Sequence, residues 1–248
     1  MPFTSKNIII IEKVDSTNNY AMGLIQNGKA TNENAVFAWE QTNGKGRRGK
    51  NWKSNKGENI VLSVIFQMQW LPISGQFQLS AATALACLDM VSKYVPSGTS
   101  VKWPNDIFIN DTKAGGILIE NVLKGTIWQW AVIGIGLNIN QVEFDEPSFS
   151  ATSLKQIIGK DYNVLEMAKD LYTAVLKRMH ELKTGNFQKM LEEYNEKLFA
   201  KNRVVKLKKE NIVFETTVIG VSESGQLITR DAFERNFNFD EVEFKGLV

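Results

Sequence analysis

Hydrophobic and polar positions alternate between strand-like and helix-like periods through most of the chain. The run NIIIIEKV (7–14) is apolar and β-branched, which predicts a strand. DSTNNYAMGLIQNG (15–28) follows, with Ser16 or Thr17 as an N-cap and Gly28 as a stop, which predicts a helix. NAVFAWEQ (34–41) and NIVLSVIFQM (59–68) predict strands on either side of a glycine-rich loop. Positions 75–95 are apolar at helical spacing with few polar interruptions, the pattern of a largely buried helix. Segments 100–111, 113–122 and 125–140 read as three strands joined by short turns, and 163–199 as two amphipathic helices. After Asn202 the texture changes to short alternating strands with a turn at 223–225. The expected architecture is α+β. A mixed β-sheet with packed helices occupies 1–201, and a small β-barrel over 202–248 docks on it. No internal repeat or low-complexity segment appears.

The chain of 248 residues is long enough for one sizeable core, or one core and a small appendage. Its hydrophobic (43%) and charged (23%) fractions are those of ordinary globular proteins. Charge changes the picture more. The net charge is +2, yet positions 44–53 alone hold five basic residues and no acid, so the remainder sums to −3. Proteins that coat nucleic acid spread their basic charge over a face or stripe. Charge gathered at one loop points instead to one small anion, and no nucleic-acid partner is expected. The isoleucine run near the N-terminus is too short for a signal-peptide core, and nothing approaches a membrane-spanning length. A lone Cys87 excludes an internal disulfide and fits a reducing cytoplasm.

NGKGRRGKNW (43–52) interleaves Gly44, Gly46 and Gly49 with Lys45, Arg47, Arg48 and Lys50. Gly44 to Lys50 satisfies G-x-x-x-x-G-K, the first seven positions of a nucleotide-binding P-loop. The eighth should carry a hydroxyl for Mg²⁺ and is Asn51. A P-loop must also open a helix, whereas this loop runs into a strand. What remains is a loop whose glycines permit close backbone approach and whose arginine forks suit phosphate or carboxylate oxygens, or else a solvated basic turn. GIGLNI supplies Gly134-x-Gly136, but the third glycine of a dinucleotide fingerprint would fall at Ile139.

VKWPNDIFINDTKAGG (101–116) says more. Trp103 precedes Pro104, which favours an extended backbone there. Lys102, Asp106 and Lys113 bracket a hairpin, and Gly115-Gly116 strip side chains from the next strand. Lysines and an acid beside bare backbone suit an anion-plus-metal site; the same pattern also suits a plain hairpin with charged flanks. His180 is the only histidine and sits on a polar-rich helix, while Cys87 lies in an apolar one. No Ser–His, Cys–His or histidine-metal arrangement exists, so chemistry here must rest on positioning and electrostatics from Lys, Arg and backbone amides.

Taken together, DSTNNYA (15–21), EQTNGKGRRGKNW (40–52), KWPNDIFINDTKAGGILIE (102–120) and GIGLNIN (134–140) resemble the biotin–protein ligases in order and spacing. The likeness then runs more weakly to the C-terminus. Because the chain starts at the strand before STN, it looks like the short form, without an N-terminal DNA-binding domain. The resemblance implies ATP-dependent activation of biotin to biotinyl-5′-AMP, with Mg²⁺, and transfer to a lysine of a biotin carboxyl carrier domain. It also admits a possible homodimer. The nearest rival is a lipoate–protein ligase of the same fold.

Carried over by position, the resemblance makes Ser16, Thr17, Asn18 and Gln41 contacts of the biotin ring, whose urea has donors and an acceptor to satisfy. Gly44, Lys45 and Arg47 would line the loop over biotin and the α-phosphate. Arg48 and Lys50 would lie on the adenylate side, and Trp52 near adenine. Lys45 and Lys50 stand where the family usually has arginine, which keeps the charge but loses the bidentate fork. Lys102 and Asn105 fall at the phosphates and Asp106 at Mg²⁺. Lys113 would hold the biotin carboxylate and the phosphate in the transition state, making it and Arg47 the catalytic pair. Gly115, Gly116, Gly134 and Gly136 would leave room for the biotin rings, and Asn138 would touch the adenylate.

Overall fold

A computed structural model describes residues 7–144, 151–185 and 187–248. Among the described residues, seven strands form one mixed sheet: β1 (Ile8–Val14), β2 (Ala35–Gln41), β3 (Asn59–Gln67), β4 (Thr99–Lys102), β5 (Asp106–Ile109), β6 (Thr112–Lys124) and β7 (Ile127–Asn138). Their order is β1-β2-β3-β7-β6-β5-β4. β1 and β2 pair in parallel across the connecting helix α1 (Thr17–Gln26), as a crossover requires, and the other neighbours are antiparallel. β3 is buried at every position but its last, because both its faces are covered.

The two faces of the sheet differ. On one, α1 packs through Ala21 against Val36, Ile65 and Val132. On the other lies the main core, capped by α2 (Gln76–Val91) and α4 (Val164–Lys183). α2 is buried from Ala81 to Leu88 without a break, the signature of a helix sandwiched between two layers. Cys87 is among these residues, and burial pushes its thiol pKa up. α4 presents Met167, Leu171, Val175 and Met179 as a stripe at helical spacing and leaves His180 exposed. The short α3 (Leu154–Ile158) escapes the hydrophobic pattern, although Ser153 and Gln156 form a capping box at its start. α5 is Phe187–Glu196.

Two expectations are corrected. Positions 100–111 form two strands, β4 and β5, because the chain turns at Trp103-Pro104-Asn105, where proline has no N–H for a ladder. The C-terminal strands β8 (Val204–Lys209), β9 (Ile212–Val221), β10 (Leu227–Arg230), β11 (Glu234–Phe237) and β12 (Glu243–Leu247) form an open antiparallel sheet, not a closed barrel. The order runs β11-β10-β9-β8-β12 with no pairing between its ends. Closure is unnecessary because the inner face, with Val205, Leu207, Val218 and Phe244, joins the main core. Trp103 Nε1 donates to the Gly225 carbonyl at 2.9 Å, and Asn195 exchanges two hydrogen bonds with the Val221 backbone.

One ion cluster ties the helical layer together. Arg178 on α4 forks onto Asp89 of α2 at 2.7 and 2.8 Å and onto Glu193 of α5 at 2.6 and 2.8 Å. Burial alone would lower the guanidinium pKa, but the hydrogen bonds to Asp89 and Glu193 outweigh it and raise it. Arg178→Ala should cost about 2–3 kcal/mol in denaturant unfolding, somewhat less than a fully buried pair because the carboxylates are partly wetted. Wild-type stability in that variant would show the cluster to be energetically idle.

Candidate active site

The site lies on the α1 face, where the sheet ladder runs in rows. Lys102 pairs with Asp106, Asp106 with Gly116, Gly116 with Gly136, and Gly136 with Val61. One row therefore carries a cation, an anion and two glycines in sequence. From Lys102 to Gly136 it spans roughly 14 Å by strand spacing. The adjacent row is Leu118, Gly134 and Ser63. Above these rows opens a cleft of about 840 Å³.

One end of the cleft is walled by neutral polar side chains. Ser16, Thr17 and Asn18 begin α1 and are almost fully buried. Ser16 holds the N-cap position without a side-chain capping bond. The Thr17 amide and hydroxyl both donate to Gln41 Oε1, at 2.8 and 3.1 Å. Ser63 Oγ lies 2.6 Å from Asn18 Oδ1, and Asn18 Nδ2 donates to Glu120 at 2.7 Å. The Asn18 amide lies across Gly134, where a Cβ would overlap it.

The other end is charged. Lys113 Nζ sits 2.7 Å from Asp106 Oδ1 and 6.0 Å from the centroid of the Trp52 ring. The Trp52 indole rests on the glycine floor: a Cβ on Gly136 would come within 2.6 Å of its Cζ2, and one on Gly116 within 3.6 Å of its Cζ3. Lys102 lies over Phe108 at 5.0 Å and Phe244 at 5.4 Å, and burial lowers its pKa despite the attraction of Asp106.

The glycine-rich loop covers both ends. Its base closes through Trp52 N to Gly44 O at 2.8 Å, and its tip through Gly46 N to Lys50 O at 2.7 Å, with a 3-10 turn at Arg47–Gly49. Arg48 and Gly49 adopt left-handed backbone, φ 55° and 71°, which glycine tolerates best. Arg47 donates to Asn105 at 3.2 Å and to Asp240 at 3.0 Å, and Arg48 also pairs with Asp240 at 2.8 Å. Phe239, beside Asp240, lies 5.7 Å under the Arg47 guanidinium.

Residues 10–138 match the model of the biotin/lipoate A/B protein ligase family. The chain belongs to that family. Over 240 residues it is 27% identical to the bifunctional ligase/repressor BirA of Bacillus spizizenii, covering 95% of this chain and 73% of that protein. Over 152 residues it is 32% identical to the biotin–[acetyl-CoA-carboxylase] ligase of Mycobacterium tuberculosis, covering 60% and 55%. Among solved structures, the biotin protein ligase of Aquifex aeolicus in complex with biotin and ATP superposes with a TM-score of 0.82 at 25% identity, over 97% of this chain and 99% of that one.

Against the family pattern, all but two of the sequence-derived site residues line the cleft. Gly115 does not. Successive residues of a strand face opposite ways, and a Cβ on Gly115 would overlap Leu137 and lie 2.7 Å from the Gly136 carbonyl, on the α2 side. It makes room for neighbouring strands, not for a ligand. Gly44 sits at the loop base, where a Cβ would overlap the Trp52 carbonyl and lie 2.7 Å from Gln41 Nε2. Asn138 lines the cleft with its Nδ2 donating to the Thr152 carbonyl at 3.0 Å. Glu120 closes the string 102–120 without being singled out there, and three more residues at the site lie outside every motif string: Ser63, Phe239 and Asp240. Ser63 alone is within reach of sequence reading, as the one polar side chain inside the apolar run of β3.

Lys102 yields a stability prediction. Its folded pKa lies below the ordinary 10.5, so between the two values the folded state binds fewer protons than the unfolded chain and stability rises with pH. Below that window the desolvation penalty is present in full. Lys102→Met should therefore melt higher than wild type at neutral pH, with the advantage shrinking as pH approaches 10.5. Melting curves across that range that run parallel would refute the penalty.

Proposed function

We infer that the protein is an ATP-dependent biotin–protein ligase. It activates biotin to biotinyl-5′-AMP with release of pyrophosphate, then transfers the biotinyl group to a lysine of a biotin carboxyl carrier domain. The observation that carries this reading is a cleft with an end of neutral hydrogen-bonding side chains and a cationic end, joined by a floor of bare backbone. A biotin ring suits the first, an adenylate phosphate the second, and the glycine floor lets the ligand lie against the sheet.

In the first half-reaction a biotin carboxylate oxygen bonds to the α-phosphorus of ATP, and the bond to the bridging oxygen breaks. Two anions must approach. Lys113 offsets that repulsion and follows the charge that gathers on the phosphorus oxygens. Arg47, held beside Asn105, presents its fork from the loop side. In the second half-reaction the carrier lysine nitrogen bonds to the acyl carbon, the bond to AMP breaks, and the nitrogen loses a proton. The loop shields the mixed anhydride from water meanwhile. Among the described residues no group of three metal-ligating side chains occurs. Asp106 alone still suits Mg²⁺, which commonly takes one or two carboxylates and completes its shell with substrate phosphates and water. When bound there, the ion would neutralise phosphate charge.

A lipoyl ring has no N–H or carbonyl. Placed at the polar end it would gain no hydrogen bond from Thr17, Asn18 or Gln41, whereas the biotin urea can bond to their remaining donors and lone pairs. That favours biotin within a family named for both.

Incubation with ATP, Mg²⁺ and radiolabelled biotin should yield a retained biotinyl-5′-AMP that a carrier domain discharges. Retention of lipoyl-AMP with no biotinyl-AMP would overturn the reading. Lys113→Gln should lose about 3–4 kcal/mol of transition-state stabilisation in adenylation, or roughly 10²–10³ in rate, by analogy with an oxyanion donor. Given pre-made biotinyl-5′-AMP, the same variant should transfer with a smaller defect. Equal single-turnover losses in both steps would remove Lys113 from this role.

A further inference from the structure

We propose that Glu120 is a positioning residue that fixes the Asn18 amide with its oxygen available as an acceptor at the ring end of the cleft, and so favours a ring of the cyclic-urea class. This rests on the biotin reading above. An asparagine amide is symmetric in shape, and only its partners decide which end is oxygen. Glu120 decides it for Asn18. A carboxylate oxygen accepts and does not donate, so the atom 2.7 Å from Glu120 Oε2 is Nδ2. Oδ1 then faces Ser63, whose single hydroxyl hydrogen is drawn to it at 2.6 Å. Thr17 Oγ1 lies 2.8 Å from Ser63 Oγ and 3.1 Å from Gln41 Oε1, within reach of both. Gln41 is fixed separately: its oxygen accepts from the Thr17 amide, which can only donate, and this turns Nε2, a pair of donors, toward Gly44.

The order imposed by the carboxylate on β6 thus reaches buried Asn18 and Ser63, while the Thr17 amide orients Gln41 at the cleft wall. Together they leave the ring end with a fixed acceptor at Asn18 Oδ1 and fixed donors at Gln41 Nε2. A cyclic urea, with two N–H groups and one carbonyl, answers both; a ring lacking either makes one hydrogen bond fewer. The other Glu120 oxygen lies 3.7 Å from Lys45 Nζ, so the same side chain also touches the loop.

Glu120→Gln keeps size and removes the compulsion. Either end of the introduced amide can face Asn18, and the order can reverse. Biotin Kd, measured by titration calorimetry, should rise at least about tenfold, while KM for ATP and the melting temperature stay at wild-type values. The swapped pair Asn18→Asp with Glu120→Gln restores the order, since the carboxylate then at position 18 accepts both from the amide at position 120 and from Ser63. It should recover most of the lost affinity, whereas Asn18→Asp alone sets two carboxylates together and binds biotin worse than the swapped pair. Should E120Q lose its cooperative melt, the comparison of the swapped pair with Asn18→Asp alone carries the test. An E120Q Kd equal to wild type, or a swapped pair no tighter than E120Q, overturns the role of Glu120 alone. A wild-type protein that binds no biotin overturns the ligase reading and this one with it.

Discussion

Everything at this site depends on one close approach: two strands that meet with no side chains between the sheet and whatever lies on it. Gly116 and Gly136 are register partners on β6 and β7, and the Trp52 indole fills the space their side chains would take. Because the pair sits in the middle of a seven-stranded ladder, the distance from the charged end to the polar end is fixed by hydrogen-bond spacing, not by loops. A rigid floor of this kind holds reacting groups to the tolerance that positional catalysis needs. It also explains how a cleft without histidine or cysteine can support acyl-phosphate chemistry.

The cover of the cleft is held differently. Arg47 and Arg48 both reach Asp240 on the connection between β11 and β12, and Phe239 supports the Arg47 guanidinium from below. The C-terminal sheet is therefore part of the site's wall, although 193 residues of sequence separate Arg47 from Asp240. Asp240 is half exposed, and ion pairs of that kind contribute at most about 1 kcal/mol each. A phosphate offers more charge and more acceptor oxygens to the same forks. The loop is thus anchored firmly enough to have a course, and weakly enough for a ligand to displace its anchor.

Periodicity alone makes most of the fold legible: the β-branched runs of β1 to β3, the buried α2 and the stripe of α4 all stand where their spacing puts them. The misreadings have local causes. β4 and β5 look like one strand because the apolar pattern carries through Trp103-Pro104, and only the missing N–H of proline marks the turn. Gly115 and Gly116 read as a pair, although period two alone sends them to opposite faces; Gly115 shares its side with Ile117, a core residue. The open C-terminal sheet is hidden because strand count does not reveal what covers the inner face. At the site, the motif residues are legible because each lies in a recognisable string. Glu120 stands at the end of such a string, but its partner Asn18 is 102 residues away, and no spacing rule links them.

Lys102 gives the clearest sense of how the charged end is prepared. A lysine between Phe108 and Phe244 has lost part of its water, and the lowered pKa records that burial outweighs the attraction of Asp106 across the ladder. Removing water from a cation disfavours folding, so this position works against stability. The same removal raises the local strength of any charge that arrives, because little solvent remains to screen it. Were Lys102 to meet a phosphate, as the proposed function has it, that contact would recover the lost solvation as binding energy. β12 supplies Phe244, so the C-terminal sheet sets the dryness of this end as well as holding the loop.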